Sequence, residues 1–242
     1  MSAVLRVEDR GAVRILTMNR PEKRNALNTE LTRALLDELL ESDKEDSVRC
    51  VILTGAGQGF CAGADLSEFK DLVPEKARLV KERAELTMQL HLAFPRMAKP
   101  VVAAVNGAAM GGGAGLALAG DLAVMAESAK LGFPEVRHGI VAAIVMANLV
   151  RQAGRKAAFE LVALGEPIGA QQALALGMVN RVVPDGELLA CAMQLADRLA
   201  GIEIQALHAT KRLFHEAADL PLARALERGR EINQRMRGFK KA

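Results

Sequence analysis

The chain has no tryptophan and no tyrosine, and seven phenylalanines are all the aromatic content in its 242 residues. Proteins that hold single-stranded nucleic acid stack the bases on aromatic side chains, so no such platform is expected here. Charge argues the same way. The 32 Lys and Arg and 29 Asp and Glu leave a formal +3, and no basic block forms a nucleic-acid footprint. That slight excess suits a small anionic ligand better than a polyanion. Cysteine is scarce as well. Cys50, Cys61 and Cys191 are odd in number and each lies among apolar residues, which predicts reduced, mostly buried thiols in a cytoplasmic protein. Metal-ligand spacing is absent, so no metal is expected. No nucleophile motif of a Ser-His-Asp protease occurs either.

Unbroken hydrophobic runs are also missing. The most apolar stretch, "PVVAAVNGAAMGGGAGLALAGDLAVMA", is interrupted by Asn106, several glycines and Asp121, whereas a membrane span needs about 20 predominantly apolar residues. Arg6, Glu8, Asp9 and Arg10 break any signal-peptide core near the start. The expectation is a soluble, cytoplasmic protein with neither a nucleic-acid nor a membrane partner.

Half of the residues are hydrophobic, enough for one large domain or one domain with a small appendage. Apolar runs at 12–19, 49–55, 100–107, 121–127 and 178–184 read as strands, several of them buried on both faces. Helical periodicity begins near Thr29, where Leu31, Leu35 and Leu39 share a face. It returns in a long charged helix marked by Leu79, Leu86 and Leu90 that ends near Pro95. Further helices are predicted at 113–120, 141–152, 156–164 and 170–177. Strand and helix alternate through the first two-thirds, which predicts an α/β layered fold. From Asp185 onward only helical periodicity remains, which divides the chain into a core at 1–184 and a helical region at 185–242 packed against it.

Two glycine-rich segments, "GQGFCAGADLSEF" (57–69) and "NGAAMGGGAGLA" (106–117), each follow a buried strand and so lie at strand carboxyl ends, where open α/β sheets bind ligands. Gly63 and Gly112 let the backbone approach a ligand closely. Two N–H groups converging on one oxygen make an oxyanion hole, and a helix starting near Gly113 adds its positive end. The same glycines also serve tight strand-to-helix packing, and spacing alone leaves both readings open. Neither segment matches a phosphate-binding P-loop or a dinucleotide fingerprint.

The motifs "LTMNRPEKRNALN", "VILTGAGQGFCAGADL", "KPVVAAVNGAAMGGGAGLALAGDL", "LGFPEVRHGI" and "ALALGMVNRVVP" occur in this order over about the first three-quarters of the chain. Together they resemble the crotonase family, the enoyl-CoA hydratase/isomerase superfamily. The resemblance implies a spiral of repeated ββα units with a helical C-terminal trimerisation region, and trimers that often pair into hexamers. It implies an acyl-CoA thioester substrate of the kind met in fatty acid metabolism, with coenzyme A as part of the substrate and no permanently bound cofactor. It also implies an enolate held by two peptide N–H groups, which fall on Ala64 and Gly112. The CoA moiety is implied to run along Lys23, Arg24, Ala26, Ala62, Asp65 and Leu66.

Hydratases of the family use two glutamates. The later one is present as Glu135 in "FPEVRHG"; the earlier one is replaced by Gly115. Addition of water across an enoyl double bond asks for a base and a proton donor, tasks two carboxylates divide well. Shifting a double bond asks for only one. The resemblance therefore implies enolate chemistry with Glu135 as sole base, as a 3,2-enoyl-CoA isomerase or an atypical hydratase. The competing reading is a non-catalytic acyl-CoA-binding homologue. Glu68, in the loop bordering the expected acyl pocket, is the possible secondary acid, and a glutamate placed at position 115 is expected to fold and to add hydratase activity. Asp121 reads as a structural cap, and His138 as a surface or packing residue. His91, His208 and His215 lie on helices without a partner pattern. The ending "RGREINQRMRGFKKA" departs from the family's usual terminal signature.

Overall fold

Hydrophobic alternation starts earlier than the sequence suggests. In the computed structural model, which describes residues 3–237, strand β1 (Leu5–Arg10) forms an antiparallel hairpin with β2 (Val13–Met18). β1 is not anticipated above because its charges mask a period-two pattern. Leu5 is buried, while Arg6, Glu8, Asp9 and Arg10 remain exposed along this edge, as suits a strand that must not pair further. Helix α1 (Thr29–Lys44) follows, its first turn capped by the Asn28 side chain, which accepts the Leu31 N–H at 2.9 Å.

Three successive units then repeat one plan. The first is β3 (Cys50–Gly55), β4 (Gly59–Cys61) and α2 (Ala77–Arg96). The second is β5 (Val101–Val105), β6 (Ala108–Met110) and α3 (Gly112–Ala119). The third is β7 (Leu122–Ala126), β8 (Lys130–Gly132) and α4 (Met146–Leu164). The first strand of each unit joins a six-stranded sheet of order β1-β2-β3-β5-β7-β10, parallel from β2 onward. The second strand joins a smaller sheet of order β4-β6-β8-β9. The remaining elements are β9 (Ile168–Gly169), α5 (Ala170–Ala175), β10 (Arg181–Val183), α6 (Leu188–Ala200), α7 (Ile204–Asp219) and α8 (Leu222–Met236). The architecture is the expected spiral of ββα units.

One helix boundary differs from the sequence reading. Helix α4 starts at Met146 rather than Val141, and it joins the two helical segments expected at 141–152 and 156–164 across a kink at Gly154 (φ 74°, ψ 167°). Helix α6 lies on the large sheet, and its Leu188, Ala192, Leu195 and Ala196 belong to the same core as β3, β5 and β7. The free thiols of Cys50 and Cys61 are buried, and burial pushes both pKa values up to about 12. Cys191 is partly buried. No helix among the described residues is long and apolar enough to cross a membrane, and no cluster of His, Cys, Asp or Glu among them is arranged to hold a metal ion.

Asp121 sits as a half-buried junction between the sheet and α7. Its carboxylate accepts the Val101 N–H at 2.7 Å, Lys211 Nζ at 2.7 Å and a contact from His215 Nε2 at 3.1 Å. His215 therefore has a partner that its sequence context did not show. Burial works against ionisation of Asp121, yet the bonds from His215 and Lys211 outweigh it and hold the pKa below the ordinary carboxylate value. Lys211, itself buried, also donates to the Lys99 carbonyl at 2.8 Å. Removing one member of a buried pair strands the other. Lys211→Met is expected to lower the unfolding free energy by about 3 kcal/mol, measured by urea denaturation with unchanged slope.

Candidate active site

The polar turn 20–28 is shaped by one buried side chain. Asn25 sits at φ 56°, accepts the Arg20 N–H at 2.9 Å and donates to the carbonyls of Ala56 (2.9 Å) and Gly59 (2.8 Å). The Arg20 guanidinium then reaches Asp65 at 2.9 Å. These ties lay residues 24–27 beside 62–65. Ala62 N–H bonds the Arg24 carbonyl, Leu27 N–H the Gly63 carbonyl, and Asp65 N–H the Leu27 carbonyl. In this parallel bridge between Leu27 and Ala64, the bonds use the residues either side of Ala64. The Ala64 N–H is left facing the opposite edge, and no described residue accepts it.

Gly112 opens α3, and the first N–H groups of a helix have no acceptor within it. The two donors are neighbours. A methyl group on Gly112 would stand 3.9 Å from the Ala64 nitrogen, and one on Gly63 would stand 3.3 Å from the Gly112 nitrogen and only 2.7 Å from the Met110 carbonyl. Gly63 also has φ 90°, so both space and backbone conformation require glycine there.

Glu135 lies in a 3-10 turn (Pro134–His138) directly after β8. Its Oε1 would be 2.7 Å from a methyl on Gly111, the residue preceding the second donor. Its Oε2 is buried without a hydrogen-bond partner. Burial raises the Glu135 pKa above the ordinary 4.5, and a bond from its own backbone N–H and the neighbouring His138 only partly oppose this. Ionisation is thus the unfavourable event in the fold, and the base form grows in as pH rises through the raised value.

A cleft of about 220 Å³ opens beside Ala64, lined by Leu27, Phe69, Leu72, Val80 and Thr87 among others. Glu68 borders it, but both of its oxygens are engaged. Oε1 accepts the Thr29 N–H at 2.8 Å, and Oε2 meets Thr29 Oγ1 at 3.2 Å and Arg83 Nε at 3.5 Å. The Asp65 carboxylate is likewise turned inward, between Arg20 and Ser67. Lys23, Arg24, Ala62 and Leu66 are exposed and Ala26 is buried. His138 is exposed.

Position 115 differs from the expectation set out above. A β-carbon there would lie 2.3 Å from Val145 Cγ1 and 2.8 Å from His91 Cε1, so no glutamate side chain fits. His91 was passed over in the sequence because it lies beside a leucine stripe and matches no motif. It is buried, both ring nitrogens lack a partner, and burial pushes its pKa down to about 4, which keeps it neutral near pH 7. Gly115→Glu is therefore expected to bring no gain in hydratase activity and to cost stability by about 1–3 kcal/mol from overpacking alone, with the buried charge adding to it. Thermal melts and a hydration assay on the same preparation check this.

Residues 8–239 match the family model described as enoyl-CoA hydratase/isomerase. The chain is 39% identical over 223 residues to 2,3-dehydroadipyl-CoA hydratase of Escherichia coli, covering 91% of this chain and 85% of that one. It is 37% identical over 228 residues to 1,2-epoxyphenylacetyl-CoA isomerase of the same organism, covering 93% and 87%. Among solved structures, an enoyl-CoA hydratase from Mycobacterium smegmatis superposes with a TM-score of 0.92 at 30% identity, covering 96% of this chain and 90% of that one. Sheet order, loop geometry and these matches agree: the chain belongs to the enoyl-CoA hydratase/isomerase family, within the crotonase superfamily, and is an acyl-CoA-processing enzyme of hydratase or isomerase type.

Proposed function

We propose that the protein works through a thioester enolate, with the N–H groups of Ala64 and Gly112 on the carbonyl oxygen and Glu135 as the one proton-transferring side chain. The observation that carries this reading is the Glu135 carboxyl, whose Oε2 is buried and unpartnered beside the start of α3. Donors aimed at the developing oxyanion lower the cost of the enolate, and a carboxylate lifted toward neutral pH is better matched to moving a proton. Moving a double bond needs one such group, which takes a proton from the α-carbon and returns it to the γ-carbon. Water addition needs the same group plus an oriented water.

Coenzyme A enters as part of the substrate, and no permanent cofactor is required. In this reading Lys23 and Arg24, exposed in the turn that pairs with Ala62–Asp65, meet the CoA phosphates, with Ala26, Ala62 and Leu66 along the same edge. Glu135→Gln preserves shape and removes the proton carrier. It is expected to lower kcat by about 10²–10⁴-fold with CoA-thioester binding retained, as measured by steady-state kinetics and titration calorimetry. In the wild type, kcat/KM is expected to fall on the acid side at a pH above 4.5, following the direction of the Glu135 shift; a variant retaining most of its kcat would remove Glu135 from the reaction.

The helical region at 185–242 is proposed as the assembly element of a homotrimer, with hexamers as paired trimers. Phe214, Leu222 and Leu226 are 65–76% exposed on α7 and α8, the kind of apolar surface that marks a protein–protein contact. Light scattering is expected to give a mass of three or six chains at micromolar concentration, and a monomer would contradict the assembly.

A further inference from the structure

Leu27 touches both residues whose N–H groups are the proposed donors. Its backbone brackets Ala64: the Leu27 N–H bonds the Gly63 carbonyl at 2.7 Å, and the Leu27 carbonyl accepts the Asp65 N–H at 3.1 Å. Its side chain reaches the other, since Cδ1 would stand 3.2 Å from a methyl group on Gly112. The Leu27 carbonyl also takes a second bond, at 2.9 Å, from Arg83 Nη2 on α2. The same guanidinium donates through Nη1 to Thr87 Oγ1 and meets Glu68 Oε2 through Nε at 3.5 Å. Glu68 in turn accepts the Thr29 N–H at the start of α1. One cation therefore joins α2, the start of α1 and the loop that carries Ala64. Its side chain is only 11% exposed, and an inward-facing charge is costly enough to require a reason. The contact to Glu68 is long, whereas the bond to Leu27 has ordinary length, so the guanidinium is aimed at the peptide beside the donor.

We infer that Arg83 is a positioning residue of the oxyanion hole, which sets the spacing of the Ala64 and Gly112 N–H groups by holding the Leu27 carbonyl. This rests on the reading of those two groups as the donors to the thioester oxygen. Donors fixed in advance are effective because nothing has to reorganise as charge develops on the oxygen. Asn25 and Arg20 anchor the paired segments through Ala56, Gly59 and Asp65. Arg83 anchors them at Leu27, the residue that packs on Gly112. A planar guanidinium holds several acceptors at set angles, which the single ammonium of lysine does not. Arg83 keeps its protons throughout and needs no contact with the substrate.

The test reads the hole through a bound chromophore. Hexadienoyl-CoA absorbs at longer wavelength when its thioester oxygen is polarised, and Glu135→Gln, which keeps both donors, is expected to bind it without turnover. The shift with this variant is compared with that of Glu135→Gln carrying Arg83→Met or Arg83→Lys as well. Arg83→Met is expected to lose about half of the shift or more, and Arg83→Lys less, because an ammonium still reaches one of the acceptors. In otherwise wild-type protein, Arg83→Met should lower kcat about tenfold, short of the roughly 10²–10³-fold of a deleted donor. KM should change less than about threefold, as for an interaction expressed in the transition state. An undiminished shift in every Arg83 variant that folds, a loss of kcat with the shift intact, or unfolding of both variants in thermal melts would each overturn the inference. If Glu135→Gln alone gives no shift, the reading of the paired N–H groups fails and Arg83 with it. A shift there that survives Arg83→Met removes only the role of Arg83.

Discussion

A helix buried along almost its whole length has to begin somewhere useful. Every residue of α3 after Gly112 is buried, so its first turn is the one place where unpaired N–H groups reach open space. The requirement that the loop at Gly63 touch that turn, backbone to backbone, governs the rest of the site. Any side chain on Gly63 would collide with the Met110 carbonyl, separating the two donors. The strand pairs β4–β6 and β6–β8 bring the three loops to one point, and the spiral of repeated units is what places those strands side by side.

Around this point, most polar groups are already committed. Asp65 is tied to Arg20 and Ser67, Glu68 to Thr29 and Arg83, and Asp121 to Lys211 and His215. Glu135 Oε2 and the His91 ring are the exceptions, and burial moves each group toward its uncharged form: the carboxyl pKa rises and the imidazole pKa falls to about 4. Desolvation alone thus accounts for both directions. A carboxylate that is costly to ionise takes up a proton more readily, and an imidazole that is costly to protonate stays neutral.

The parallel strands and the glycine loops were legible because buried strands read as continuous apolar runs and because close backbone contact leaves few residues other than glycine. β1 was not, since an edge strand with one buried residue carries too little hydrophobic signal. The start of α4 was misplaced because Val141 to Val145 are apolar but form turns that pack Val145 against Gly115. That packing also explains why the missing carboxylate at 115 was visible while its consequence was not. A glycine in a motif announces an absent side chain, but only the fold shows that α2 and the turn before α4 have filled the space. His91 gave no pattern because what sets it apart is a buried ring without a partner, a property that no spacing encodes.

In the proposed reaction Glu135 alone moves the proton at the α-carbon of a thioester whose oxygen is held by Ala64 and Gly112. Exchange of the α-hydrogen of a saturated acyl-CoA with deuterated water, followed by NMR, isolates that event from water addition and from double-bond movement. Wild type is expected to catalyse exchange and Glu135→Gln to lose it. Undiminished exchange in Glu135→Gln would show that another group makes the enolate.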